Sequence, residues 1–459
     1  MSEYEIIGEI TSNISTSPRV VVPPGEDDCS VIDVEEYQSL VYNSEIAYSN
    51  EGNTSEVVAV IDEALSGLPE SDNLGVLTFF GIPSSDNPEN LAYDLQREIS
   101  DYMEDIDHLG GDTNETEALI VAATAVGGIK EKNNDLESSV DFSEMGYALH
   151  SLDMINATLM GEEFIEDRGE ALGYYVTDAN LSDVVSSGGV PPVGIQPFGG
   201  INDPNMHSGI REGIRNRTGQ YGIEYLEGNF IDADIDQMLG ATAIGGVKDK
   251  ESLTLRSGAE DGDVILATGS PGVFTAASLA LETDVEVEEE LLDSLVDYIV
   301  DTDVPVEELE YLKKRGNLNG GIDISDGLSL DLEQMLDQSD ISGAEIYPET
   351  LGKDPRIVEV AEETQYSPSS FTWFLGGDWE SLVTMPEEEW SKISNEASTY
   401  EVRPIGKIND QKEGIIVNDE EVSVMGYQAF ESSDGDLENF TFGDWVENQL
   451  KKIDKEFGN

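Results

Sequence analysis

Basic residues are scarce in this chain. Lys and Arg together number 23 against 97 Asp and Glu in 459 residues, for a formal net charge of −74. A field of that sign repels nucleic acid and anionic membranes, so neither is an expected partner. It also repels phosphate-bearing ligands unless divalent cations or local basic residues offset it. Cys29 is the only cysteine, which excludes an intrachain disulfide and a thiolate metal cluster. The three histidines, His108, His150 and His207, sit in no recognisable catalytic context, so no Ser-His-Asp triad is expected. No Gly-x-x-x-x-Gly-Lys-Ser/Thr segment occurs, which argues against a P-loop kinase. No apolar run is long enough to span a bilayer, and Met1-Ser2-Glu3-Tyr4-Glu5 lacks the basic start of a signal peptide. A soluble, cytoplasmic protein is expected.

What remains is not a disordered acid chain. Hydrophobic residues make up 38% of the sequence. Apolar runs such as Val264-Ile265-Leu266-Ala267 recur between turn signals. The composition describes a folded protein with an acid-coated surface, which repels itself in dilute buffer and is screened at high salt. A salt-rich cytoplasm and a halophilic protein are inferred.

The chain also repeats itself. Leu109-Gly110-Gly111-Asp112-Thr113 leads to Ala122-Ala123-Thr124-Ala125-Val126-Gly127-Gly128, and Leu226-Glu227-Gly228-Asn229-Phe230 leads to Gly240-Ala241-Thr242-Ala243-Ile244-Gly245-Gly246. A second match joins Asp62-Glu63-Ala64-Leu65-Ser66-Gly67 to Asp183-Val184-Val185-Ser186-Ser187-Gly188. Two separate blocks at nearly one offset are read as a domain duplication. The copies differ at the acid: Asp112 in the first, Asn229 in the second.

Three modules and a tail follow. Copy one spans residues 1–131, copy two 133–257, an unpartnered C-terminal domain 258–435, and an acidic tail or helix 436–459. In copy one, Val20–Val22, Leu40–Tyr42 and Gly75–Phe80 read as strands, and Leu91 to Met103 has helical spacing. The alternation of strands and helices points to the α/β (α+β) class.

The candidate chemistry is carboxylate chemistry. Asp27 and Asp28 follow a Pro-Gly turn, Glu45 ends a strand, and Asp62 and Asp112 sit at turns. Copy two offers Asn134-Asp135 with Glu137, then Asp153, Asp183 and Asn229. Carboxylates at strand ends converge on hard cations, and magnesium suits them because it retains waters that bridge to phosphates. In so acidic a chain most such groups are solvated surface; those flanked by glycine stand out, since glycine permits close backbone approach. Arg256 stands out for the opposite reason, as a rare cation ahead of Thr268-Gly269-Ser270-Pro271-Gly272, whose strand-to-helix turn can offer backbone N–H groups to phosphate. Asp323 and Asp326 bracket Ile324-Ser325, and Asp326 is a ligand or a helix cap. Trp379, beside Gly376-Gly377-Asp378, is a ring-stacking platform or a core residue.

Together these motifs resemble the superfamily of ATP-dependent enzymes that includes aminoimidazole ribonucleotide synthetase, selenophosphate synthetase, the hydrogenase-maturation protein that makes cyanide ligands, and thiamine-monophosphate kinase. The kinase family is most similar: its motifs look like Gly25-Glu26-Asp27-Asp28, Gly110 to Thr113, Leu152-Asp153-Met154, Asn180 to Asp183, Arg256 to Ala259, Thr268-Gly269, Ile324 to Leu328, Gly376 to Leu382 and Gly426 to Phe430. The resemblance implies an N-terminal α/β domain that pairs with its twin to close a β-barrel, here as two tandem copies within one chain. It implies ATP and Mg2+ as cofactors and γ-phosphoryl transfer to a small phosphorylated acceptor, by a monomeric pseudo-dimer or a homodimer. Metal would be held by Asp27, Asp28, Glu45, Asp62, Asp112, Asp153, Asp183 and Asp326. ATP phosphates would meet Gly110, Gly111, Asp112, Thr113, Arg256, Thr268 and Gly269, with Asp326 and Arg256 catalytic. Substrate would meet Asp378, Trp379 and Tyr427. The alternatives are another ATP-using member with a different substrate, and a catalytically silent nucleotide-binding or assembly protein.

Overall fold

The computed structural model describes residues 16–49, 54–83, 88–103, 106–116, 118–131, 139–156, 165, 167–201, 203, 205–232, 238–426 and 442–457, with Ile6 and Ile10. Tyr427 and the acids Asp135 and Glu137 lie outside the described residues. The first half runs β1 (Val20–Val22), β2 (Ser30–Asp33), β3 (Ser39–Ser49), α1 (Ser55–Ser66), β4 (Asp72–Pro83), α2 (Pro88–Tyr102), β5 (His108–Thr116) and β6 (Leu119–Ile129). The second runs β7 (Ser139–Asp141), β8 (Tyr147–Asn156), α3 (Arg168–Ser186), β9 (Gly194–Ile201), α4 (His207–Tyr221), β10 (Glu224–Tyr225), β11 (Asn229–Asp232) and β12 (Met238–Val247).

β6 and β12 are the repeated apolar runs, and they lie inside their sheets, where an uninterrupted hydrophobic strand is buried on both faces. The first sheet has the order β5-β4-β6-β3-β7, and the second runs β1-β2-β8-β12-β9-β10 with β11 also on β9. Both repeat one pairing scheme: antiparallel, antiparallel, parallel. The row Glu45–Ala123–Thr78–Gly111 is matched by Asp153–Ala241–Pro197, with Gly228 packed on Pro197 just ahead of β11, and the next row, Ile46–Ala122–Phe79–Asp112, is matched by Met154–Gly240–Phe198–Asn229. The matching glycines are needed for one reason. A Cβ on Gly111 would lie 1.5 Å from the Thr78 carbonyl oxygen, and one on Gly228 would lie 1.6 Å from that of Pro197.

The halves also exchange strands. β2 precedes β3 in sequence yet pairs with β8, and β7 precedes β8 yet pairs with β3. The expected barrel is not formed: among the described residues both sheets are open paths with free ends at β5, β7, β1 and β10. They face each other over a shared core of Ile32, Tyr42, Phe79, Met154, Phe198 and Ile244. Residues at matching places touch there: Thr242 Oγ1 donates to Thr124 Oγ1 at 2.7 Å, and Tyr42 Oη lies 2.9 Å from His150 Nε2. Burial holds His150 down at about 3 and His108 down at about 4, so both stay neutral core residues.

α1 and α2 cover the outer face of the first sheet through Val57, Ile61, Leu91, Leu95 and Ile99. α3 and α4 cover the second through Leu172, Val176, Ile210 and Ile214. α3 is buried on nearly every side because its far face meets the C-terminal domain. That domain is built on a sheet of β13 (Val264–Ala267), β14 (Gly321–Asp323), β15 (Gly343–Ile346), β16 (Ser381–Met385), β17 (Arg403–Ile408), β18 (Gly414–Val417) and β19 (Glu420–Glu421). Phe442–Phe457, where a tail or helix was expected, is a helix that buries Val446, Leu450, Ile453 and Phe457 in this domain's core.

Candidate functional site

The α3 junction gathers carboxylates from three separate parts of the chain. The Pro23–Asp28 turn between β1 and β2 reaches it because β2 sits on the second sheet. Asp183 comes from the last turns of α3, and Asp323 ends β14. Ligand oxygens of Asp28, Asp183 and Asp323 all lie within 4.8 Å of one another. Serines orient two of these acids: Ser151 Oγ donates to Asp183, and Ser182 Oγ donates to Asp323 at 2.7 Å. Asp28 Oδ2 is buried and accepts no hydrogen bond among the described residues.

Arg256 anchors the turn. Its backbone N–H donates to Asp27 Oδ2 at 2.8 Å, and its guanidinium donates to Asp28 and, at 2.9 Å, to Gln334 Oε1. Ser187 Oγ holds the other Asp27 oxygen at 3.0 Å. The rare cation expected to clamp phosphate therefore clamps the acidic turn.

The electrostatics are those of like charges held together. Burial, and then Asp28, push Asp27 up to about 7, and the same two causes push Asp323 up to about 7. Asp28, Asp183 and Asp331 are also raised, with burial the largest cause and neighbouring acids adding to it for Asp183 and Asp331. Asp326 is the half-buried acid at the start of the Leu328–Gln338 helix, and its charge acts on both Asp323 and Asp331. Several buried carboxylates with one guanidinium among them make a site that favours a multivalent cation.

Asp153 lies near this cluster. Asp153 adds to the charge around Asp183. β5, which carries Gly110, Gly111, Asp112 and Thr113, packs on β8 and β2. A Cβ on Gly110 would lie 3.6 Å from Ser30 Cβ, two residues past Asp28. The Gly-Gly-Asp stretch of the first half, expected at a turn, is part of strand β5 and lies over strands of the second half.

Other expected ligands are elsewhere, which corrects the first reading. Asp62 accepts from Tyr102 Oη at 2.8 Å on the outer helix layer. Glu45 is held by Asn229, whose amide donates to it at 2.7 Å. Asp378 is a buried cap: its oxygens accept from Gly272 N at 2.7 Å, Phe274 N at 2.8 Å and Tyr298 Oη at 2.9 Å. Trp379 is buried edge-on against Tyr175, with ring centres 5.3 Å apart, so it is a core ring and not an open stacking platform.

The Thr268-Gly269 turn is not a free phosphate cradle. Glu380 fills it, accepting from Thr268 Oγ1 at 2.6 Å and Ser270 N at 3.2 Å. Burial raises Glu380 to about 8. Between its ordinary value of 4.5 and about 8, the folded state keeps a proton that the unfolded state releases, so stability falls as pH rises across that window. Glu380→Gln, which keeps the shape and one acceptor, should flatten that slope in thermal melts from pH 5 to 8; an unchanged slope would count against it.

Two acids of the cluster were missed as ligands. Asp323 was noted beside Asp326 but not assigned, although both lie in one Asp-Ile-Ser-Asp motif. Asp331 has no local signal beyond helical spacing, since its side chain accepts from Gly327 N at 3.0 Å like an ordinary helix-start acid.

Residues 137–247 match the family described as AIR synthase related protein, N-terminal domain. The thiamine-monophosphate kinase of Rhodopirellula baltica is 27% identical over 239 residues, covering 52% of this chain and 68% of that protein. Those of Aquifex aeolicus and Halobacterium salinarum are each 24% identical, covering 57% and 56% of this chain and 81% and 82% of theirs. The fold is shared with AaThiL complexed with AMPPCP and TMP, at 21% identity and a TM-score of 0.53 over 61% of this chain and 87% of that one. It is also shared with thiamine monophosphate kinase from Aquifex aeolicus, at 21% identity and a TM-score of 0.51 over 60% of this chain and 89% of that one. The chain is therefore similar to thiamine-monophosphate kinases, and its residues 137–247 match the N-terminal domain of AIR synthase related proteins.

Proposed function

We propose that this chain is an ATP- and Mg2+-dependent phosphotransferase of the thiamine-monophosphate kinase kind, with one composite site per chain. The observation that carries the proposal is the meeting of Asp28, Asp183 and Asp323 from three parts of the sequence. Their all-oxygen donor set fits magnesium, and the orphaned Asp28 Oδ2 is an unused ligand atom. When bound, magnesium would neutralise phosphate oxygens and align them, which is most of what phosphoryl transfer requires. Ser151 and Ser182 orient the ligating acids, while Arg256 and Ser187 hold the acidic turn against them. On this reading Asp112 and Asp153 are assigned to the β5–β8 side of the site, and the half-buried Asp326 to the side where a phosphate-bearing acceptor would enter.

We also read residues 1–131 and 133–257 as a duplication whose copies pair within the chain. The matching strand rows, the reciprocal exchange of β2 and β7, and the Thr124–Thr242 contact support this, because an isologous interface brings equivalent residues together. On this reading a second chain is not needed to complete the site. The net charge of −74 supports a protein adapted to high salt.

The test is turnover in molar KCl with ATP, Mg2+ and thiamine monophosphate. ADP formation should require both the acceptor and Mg2+ and should stop with EDTA. ATP binding without turnover would favour the silent nucleotide-binding reading.

A further inference from the structure

The pairing rows give two of the assigned site residues, Asp153 and Asp112, a counterpart on the other side of the pseudo-twofold. Glu45 stands where Asp153 stands, and Asn229 where Asp112 stands. The counterpart of the Asp112–Asp153 side is therefore the Glu45–Asn229 contact, again a strand of one half over a strand of the other. Here the carboxylate faces an amide, and the two bond directly at 2.7 Å. Burial raises Glu45; a hydrogen bond from Asn43 pulls against it, the nearby Glu63 charge adds to it, and the Asn229 amide offsets it in smaller measure.

The rest of that segment is rebuilt to match. Gly110, with φ of +130°, is replaced by Glu227, which has no positive φ. The Glu227 carboxylate accepts from Arg211 at 2.8 Å and Arg215 at 3.2 Å. Those guanidiniums lie 4.5 Å over Phe230 and 4.6 Å over Tyr225. Gln196 Nε2 donates to the Glu227 carbonyl at 3.1 Å. A segment that must approach a phosphate keeps its glycines and its acid; this one has two arginines pinning it and an amide where the acid stood.

We infer that the Glu45–Asn229 bond takes the place of a cation in a retired half-site, so that the chain holds cations on one side of its pseudo-twofold only. The inference rests on the reading of Asp112 and Asp153 as part of a cation site. A donated amide hydrogen satisfies Glu45 without a metal, and the Arg211–Glu227–Arg215 clamp keeps the segment in that register.

The test uses the full chain in molar KCl, which suppresses loose binding to surface acids. Tightly bound Mn2+ is counted per chain by electron paramagnetic resonance, and melting is followed with and without Mn2+. Asn229→Asp should melt lower than the wild type with chelator present, recover with Mn2+, and bind one more tight Mn2+. Asn229→Leu should melt lower whether or not Mn2+ is added. Asp112→Asn should lower the wild-type count. If Asp112→Asn lowers the count but Asn229→Asp gains neither Mn2+ nor rescue, this inference alone fails. If the wild type binds no tight Mn2+, the cation reading fails and takes this inference with it; if Asp112→Asn leaves the count unchanged, Asp112 is no part of the cation site and this inference fails while the Asp28–Asp183–Asp323 reading stands.

Discussion

Asp183→Asn is expected to raise the melting temperature of the metal-free protein and, at the same time, to lower Mg2+-dependent turnover by more than about 100-fold. The two effects share one cause. Asp28, Asp183 and Asp323 hold ligand oxygens within 4.8 Å of one another. Two unit charges about 4 Å apart repel by about 4 kcal/mol at an effective dielectric of about 20, which is enough to keep part of the cluster protonated. An amide at position 183 removes that repulsion and still accepts from Ser151 Oγ. It also removes a charged ligand, so the cation that aligns phosphate is held less well. Melting with EDTA and with Mg2+ reads both arms. Wild type should gain the more from Mg2+, and the variant should start higher and gain less. A variant that melts lower in EDTA, or keeps wild-type turnover, would show that Asp183 supports the fold and not the metal. Strain of this kind is a common feature of functional sites, where a cluster unfavourable by itself is retained for what it binds.

Arg217→Met should destabilise the fold by about 3–5 kcal/mol, because it leaves a fully buried carboxylate without its counter-charge. Arg217 is 2% exposed and Asp178 0%. The guanidinium donates to Asp178 through Nε at 2.8 Å and Nη2 at 2.6 Å, and through Nη1 to Asp301 at 2.8 Å. Tyr174 and Tyr221 flank it, each 5.2 Å from the guanidinium carbon. Tyr221 Oη in turn donates to Asp178 at 2.9 Å and accepts from Val304 N at 2.9 Å. One side chain therefore ties α3 and α4 to the C-terminal domain at its Asp301–Val304 segment. Burial pushes the Asp178 carboxyl above its ordinary range, and the guanidinium pulls against that. Without Arg217 the carboxyl rises further, so the loss should be smaller at acidic pH, where Asp178 is protonated, and larger above neutrality. Urea melts at both pH values measure this, and Asp178→Leu added to Arg217→Met should recover much of the loss. A loss below about 1 kcal/mol at pH 8 would mean that the pair is dispensable. Because α3 also carries Asp183, turnover should fall with stability.

Much of the site was legible because its motifs are local. Asp27-Asp28, Asn180 to Asp183 and Ile324 to Leu328 each combine an acid with a turn or a helix end, a pattern that needs no distant partner to be seen. The ligand list failed where the deciding contact is distant. Glu45 and Asp153 occupy the same place in their strands, yet Glu45 meets an amide 184 residues away. Asp378 looked like a substrate group until Gly272, Phe274 and Tyr298 were found around it. Thr268-Gly269 has the shape of a phosphate turn, but Glu380 already fills it.

Sequence alone determined the large excess of acid over base, the lack of an intrachain disulfide, the recurring sequence blocks, and the apolar runs that became β6 and β12. These follow from composition and from patterns a few residues long. The tertiary structure decided which acids share a site. β2 crosses to β8, and that exchange carries Asp27 and Asp28 to α3 and Asp323, where like charges are held close enough to call for a cation. No pattern along the chain encodes that crossing, because strand partners are chosen by a core assembled from both halves at once.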